Sequence, residues 1–155
     1  MKKIKRIVGF CLLLFSCFCL ISCGSEKEGP KLICTKQLMD SDGLVTYMTT
    51  VVNYEKDTIN KVTLKWLVRY DINEYSEDEI QTLVNNTVNS YKNTYGNNTN
   101  IIINSTKGES NEYYVTISVN YSKLSKSDRV AYGFDFPDGL EKSKKDFEEA
   151  GYTCK

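Results

Sequence analysis

Three acidic segments could in principle bind a cation or act as an acid and base pair. The run DSDG at residues 40–43 opens like a calcium loop but lacks the third acidic ligand and the closing Glu. A second run covers residues 71–79, and Asp135 and Asp138 flank a Phe-Pro pair. Carboxylate pairs of this kind can cleave glycosides, but a turn and helix capping explain all three segments. The sequence therefore predicts no metal, no cofactor and no catalytic residue.

The absence of histidine narrows the chemistry further. The 155 residues contain no His, which removes the usual general base at neutral pH and the commonest zinc ligand. Twenty basic and twenty acidic residues cancel, and basic residues cluster only within the first six positions. We therefore expect neither an enzyme nor a nucleic-acid partner.

A polar and aromatic strand face is the other candidate for chemistry. Tyr114, Thr116, Ser118 and Asn120 alternate with large apolar residues, so they should share the solvent face of one strand. Tyrosine gives rigid contact area together with a hydroxyl group. These four residues are the predicted contact surface, although the abundance of tyrosine, eleven in all, is equally explained by core packing and an AT-rich genome.

Alternating apolar residues predict the strands that position this surface. The third strand places Val62, Trp66 and Ile72 on one face and polar residues on the other, which is typical of an antiparallel sheet with one wet face. Five strands are expected, at residues 32–36, 44–54, 62–72, 101–105 and 113–121.

Sequence patterns typical of helices lie between these strands and after the last one. Ser76 and Glu79 form a capping-box pattern ahead of apolar residues at helical spacing, which continue until Gly96. A helical turn is expected over residues 125–132 and a last helix from 138 or 139 to 150. The order β-β-β-α-β-β-α predicts an α+β fold of two layers, a mainly antiparallel sheet of about five strands with two helices on one face.

The first residues resemble a secretory signal. Four basic residues precede an apolar run of 15 residues, 7–21, which as a helix would rise only about 22 Å, short of the roughly 30 Å hydrocarbon core. A permanent membrane span is therefore the weaker interpretation.

The segment Leu20-Ile21-Ser22-Cys23 resembles the lipobox of bacterial lipoproteins. The resemblance implies cleavage between Ser22 and Cys23 and acylation of the Cys23 thiol, with a plain signal peptide as the alternative. Residues 1–22 would then be a signal peptide, 23–30 a lipidated tether, and 31–155 a single domain. Two or more acyl chains make residence in the membrane lipid effectively permanent.

Removal of residues 1–22 takes away four basic residues, so the mature chain has 16 basic and 20 acidic groups, a net charge of 16 − 20 = −4. Attachment must therefore rest on the acyl chains rather than on attraction to anionic lipid. The richness in Asn, Lys, Ile and Tyr favours a Gram-positive host. We expect the protein on the extracytoplasmic face of the cell membrane.

Cys34 and Cys154 are the two thiols that remain after this cleavage. Export places them where disulfides persist, so we predict a bond between them that ties the tail to the first strand. Two unpaired thiols are the alternative.

The lipobox, the strand KLICTK around Cys34 and the ending EEAGYTCK together resemble the YehR-like family of small bacterial lipoproteins. The resemblance covers the layout of most of the mature chain, and the family is uncharacterised, so it implies no catalytic residue. Two functions stay open. One is a non-enzymatic module that binds an envelope protein or glycan near the membrane. The other is a small-ligand carrier or a carboxylate-based hydrolase.

Overall fold

The computed structural model describes residues 29–96 and 98–155. The predicted signal peptide 1–22, the lipidation site Cys23 and the tether up to residue 28 lie outside the described residues. Among the residues that are described, no helix is both long enough and apolar enough to cross a membrane.

The fold is α+β, with one antiparallel sheet of six strands in the order β4-β5-β3-β2-β1-β6. The strands are β1 (Lys31–Ser41), β2 (Leu44–Glu55), β3 (Thr58–Tyr70), β4 (Ile101–Lys107), β5 (Glu112–Val119) and β6 (Thr153–Cys154). The sixth strand, two residues long, is the one that the sequence did not predict, because so short a segment has no readable alternation.

Three helices and one 3-10 turn connect these strands. They are α1 (Glu77–Tyr95), the 3-10 turn (Tyr121–Lys123), α2 (Lys126–Ala131) and α3 (Leu140–Glu149). The predicted capping box is formed, because the Ser76 hydroxyl accepts from the Glu79 N–H at 3.3 Å and the Glu79 carboxylate accepts from the Ser76 N–H at 2.9 Å. Helix α3 begins after Gly139, which makes no side-chain cap bond, so the prediction that aspartate caps it is wrong.

Helices α1 and α3 lie on one face of the sheet, where the core forms in two adjoining clusters. Helix α1 contacts β4 and β5, while α3 contacts β1 and β6. Ile80, Val84 and Val88 of α1 bury against Val115. Phe147 of α3 belongs to the second cluster, which includes Leu32, Cys34, Val52, Val62, Ile117 and Val119. Within residues 29–96 and 98–155, no layer of helices covers the other face of the sheet.

Several strand ends differ from the sequence prediction. β1 runs on to Ser41 through an irregularity between Gln37 and Met39. β3 ends at Tyr70, so Ile72 lies beyond the strand and is 72% exposed instead of facing the core. β5 ends at Val119, because the chain turns there into the 3-10 helix.

Candidate functional site

The candidate site is the face of the sheet opposite the helices, called the open face below. Side chains on the helix side of β3 and β5 are largely buried, and those that alternate with them point to the open face. On the neighbouring strands β3 and β5 the open face includes Lys61, Thr63, Lys65, Leu67 and Arg69 of β3 and Glu112, Tyr114, Thr116 and Ser118 of β5. Register places Lys65 opposite Thr116 and Leu67 opposite Tyr114.

Four of these side chains form a bonded group, called the Tyr114 cluster. Arg69 donates from Nε and from a terminal guanidinium nitrogen to the same Glu112 oxygen, at 2.8 Å and 2.6 Å. The Tyr114 hydroxyl donates to the other Glu112 oxygen at 2.6 Å. The Lys65 ammonium lies 3.9 Å from the centre of the Tyr114 ring, a cation–π contact. The cluster thus fixes an aromatic ring and two cations on a flat surface.

The hydrogen bonds of the Tyr114 cluster lower the pKa of its carboxylate and raise the pKa of its phenol. The bond from Tyr114, followed by that from Arg69, lowers the pKa of Glu112. The bond to Glu112 raises the pKa of Tyr114, with a smaller contribution from burial. At neutral pH the cluster therefore holds an ionised carboxylate and a neutral phenol.

Gly108 brings backbone close to the Tyr114 ring. A Cβ atom at this position would lie 2.6 Å from Cε2 of Tyr114, closer than non-bonded carbon atoms approach. The Gly108 N–H also donates to the Glu112 carbonyl at 2.8 Å across the turn between β4 and β5. Glycine at this turn therefore leaves the space that the ring occupies.

A polar depression of about 430 Å³, called the amide depression, lies at one end of the open face. Its lining is rich in amide and hydroxyl side chains: Asn60, Thr99, Asn100, Ser118, Asn120 and Ser122, together with Glu55, Lys61, Ile102 and Val119. The side-chain oxygen Oδ1 of Asn60 is buried and has no hydrogen-bond partner among the described residues. A buried acceptor of this kind is uncommon in native proteins.

A second depression, of about 730 Å³, lies at the opposite end of β3. Val45, Arg69, Asp71 and Asn111 contribute to its lining. The Tyr114 cluster lies between the two depressions along β3 and β5, so the three features together make one elongated surface.

The structure brings together most of the predicted contact surface. Tyr114, Thr116 and Ser118 all lie on β5 and on the open face. Asn120 lies beyond the end of the strand, yet it lines the amide depression together with Ser118. Lys65 and Arg69 are among the polar residues of β3 that were expected on its wet side, and only the register of β3 and β5 sets them beside Tyr114 and Glu112.

The first two acidic segments, residues 40–43 and 71–79, serve structural roles in the described chain. Gly43 takes a positive φ of 73° in the turn between β1 and β2, as a tight turn requires. Glu79 completes the capping box, and Glu77 pairs with Lys107 and accepts from the Tyr113 hydroxyl. Over residues 29–96 and 98–155, no group of three or more acidic, Cys or His side chains is placed to hold a metal ion.

Cys34 and Cys154 are joined by a disulfide in the structure. They face each other in the register of β1 and β6, with their Cα atoms 4.1 Å apart. Next to the bond, Ile33 and Lys155 exchange two backbone hydrogen bonds, at 3.0 Å and 2.9 Å. Cys34 is fully buried, so the bond fastens the end of the chain to the core.

Comparison with known proteins identifies a fold but no family. No family model matches the chain, and no curated protein matches it. An NMR structure of a protein from Streptococcus pneumoniae TIGR4 is similar, with a TM-score of 0.51 and 14% sequence identity over 85% of this chain and 88% of that chain. At this identity the likeness concerns the fold alone.

Proposed function

We propose that the protein is a lipid-anchored, non-enzymatic binding module of the bacterial envelope, related to the YehR-like lipoproteins. Its acylated Cys23 holds it to membrane lipid on the extracytoplasmic face, and its open face binds an envelope component close to that membrane. The tether of residues 24–30 reaches at most about 25 Å, so the partner lies near the bilayer.

The single observation that carries this proposal is a sheet face that no helix of the described residues covers and that has a preformed polar and aromatic cluster on β3 and β5. An antiparallel sheet can leave one face in water when that face is polar. Here the open face carries Lys65, Tyr114 and Arg69 in fixed positions. Fixed aromatic and arginine side chains are the types enriched at binding sites.

The carboxylates favour binding over the alternative, a hydrolase. A catalytic acid at neutral pH needs a pKa raised above its ordinary range. Hydrogen bonds lower the pKa of Glu77, Glu79 and Glu112 instead. These groups are therefore suited to hold cations and hydrogen-bond donors rather than to deliver protons.

Photo-crosslinking on living cells tests the binding face. p-Benzoylphenylalanine replaces Thr116 of β5 on the open face or, as a matched control, Lys145 on the exposed side of α3. We expect adducts with envelope material from position 116 and few from position 145. Equal yields at the two positions, or none at position 116, would contradict the proposal.

Metabolic labelling with a fatty-acid analogue tests the anchor. The wild-type chain should take up label and sediment with membranes, and the Cys23→Ala variant should do neither. A Cys23→Ala variant that is still labelled would refute acylation at that sulfur.

A further inference from the structure

We infer that the open face holds an acidic glycan chain that lies along β3, with one sugar unit seated in the amide depression. The inference rests on the proposed function, since it names the chemistry of the component that the same face would bind. Its support comes from hydrogen-bonding groups at one end of the face and from fixed positive charge along its middle.

The amide depression has the hydrogen-bonding groups that a sugar requires. Sugar hydroxyls donate and accept at once, and side chains of Asn and Ser do the same. The Asn60 Oδ1 acceptor is buried without a donor, and Ser118 and Asn120 line the same space. The Ser118 hydroxyl and the Asn120 amide are therefore the partners for a sugar hydroxyl seated there.

The same depression has an apolar side. Ile102 is 57% exposed and belongs to the lining, where it offers apolar surface to the C–H face of a sugar ring. A pocket for a free metal ion or for phosphate alone would not need such a surface. Amides, hydroxyls and one aliphatic patch together fit a polyol ring.

Positive charge follows the outward face of β3. Lys61, Lys65 and Arg69 are spaced by four residues, which corresponds to about 13 Å for each step at 3.3 Å per residue. Arg69 is held by Glu112, whereas the Lys65 ammonium lies over a neutral ring. Glu55 lies beside Lys61 at the depression, so Lys65 is the cation best placed for an acidic group of the ligand.

The dimensions favour a chain over a single small ligand. From Lys61 to Arg69 the face extends about 26 Å, and a depression lies at each end. A polymer could occupy both depressions and pass over Lys65 between them.

Co-sedimentation of the full chain with purified cell wall tests the inference. The probes are Gram-positive peptidoglycan that retains its anionic polymers, the same wall after hydrofluoric acid has removed the phosphodiester polymers, and neutral chitin. We expect binding to the intact wall, weaker binding in high salt, and little binding to chitin. Loss of binding after the acid treatment identifies the acidic groups as phosphates, while retention identifies them as carboxylates of the wall itself.

Two variants with matched controls locate the site. Lys65→Glu should weaken wall binding about tenfold or more, and Asn120→Ala should weaken it by about threefold to tenfold. Lys145→Glu and Asn86→Ala make the same chemical changes on exposed helix positions and should leave binding unchanged. Circular dichroism of each variant establishes that it is folded.

Three results would overturn the glycan inference: no sedimentation with either wall, equal binding by wild type and Lys65→Glu, or Lys65-dependent binding only to phosphatidylglycerol vesicles or single-stranded DNA. If position 116 gives crosslinks on cells but the protein does not sediment with any wall preparation, the glycan inference is refuted. The proposed binding function of the open face is then still supported. Wall binding that Lys65→Glu and Asn120→Ala do not alter, with no crosslinks from position 116, would refute the open face as the site and both proposals with it.

Discussion

Breaking the disulfide between Cys34 and Cys154 should destabilise the domain by several kcal/mol. The two residues are 120 positions apart in sequence, and for a loop of that length the chain-entropy relation gives about 5 kcal/mol, against about 2–5 kcal/mol for removal of typical native disulfides. A domain of this size has a total stability of about 5–15 kcal/mol. The bond therefore accounts for a large share of what keeps the domain folded.

The strand pairing next to the disulfide shows where the domain would begin to unfold without that bond. β6 is only two residues long and pairs with β1 alone. Without the disulfide, the C-terminal segment would be held by the backbone bonds between Ile33 and Lys155 and by the packing of Phe147 on Tyr152. Lys36 adds a hydrogen bond to the Ala150 carbonyl and a cation–π contact with Tyr152. Hydrogen exchange should therefore rise first in α3 and β6, ahead of β2 and β3 at the centre of the sheet.

Urea unfolding of oxidised and reduced protein measures the effect, with Trp66, the one tryptophan, as the fluorescent reporter. If the free energy of unfolding falls by about 2 kcal/mol for each molar step in urea, loss of the disulfide should lower the unfolding midpoint by about 1–2.5 M. Cys154→Ala is the control, because reductant should not change its midpoint. Equal midpoints for oxidised and reduced wild type, or two alkylatable thiols in the exported protein, would refute the reasoning.

Three further perturbations have defined outcomes. Ser76→Ala removes the capping box and should cost about 1 kcal/mol in urea unfolding, whereas no change would mean that the cap does not stabilise α1. Gly108→Ala should displace the Tyr114 ring, shift its NMR resonances and cost about 1 kcal/mol; unshifted resonances would contradict the close approach. Hydrogen bonding lowers the pKa of Glu112 from its ordinary 4.5, so its stabilisation is present above pH 4.5 and is lost as the pH falls through the lower folded pKa. Glu112→Gln should therefore flatten the acid side of the stability profile and bring the pKa of Tyr114 back toward 10.0, and an unchanged NMR titration of Tyr114 would refute the link.

Local patterns in the sequence predicted the elements well where a strong period or cap was present. The capping box at Ser76 and the alternation around Tyr113 correspond to α1 and β5 in the structure. Strand ends were less predictable, since an apolar residue such as Ile72 fits the alternation but lies beyond the last ladder hydrogen bond. Pairing across the sheet decides where a strand stops.

The sequence by itself determined the α+β class, because its periods of two and of 3.6 residues are properties of neighbouring positions. It also determined that Tyr114, Thr116 and Ser118 share one face of a strand. Only the tertiary structure decided that Lys65, Arg69 and Glu112 surround that tyrosine and that Asn60 lies in a depression with Asn120. Those contacts join residues far apart in the chain, and strand order and register, which bring them together, depend on how the whole sheet packs against its helices.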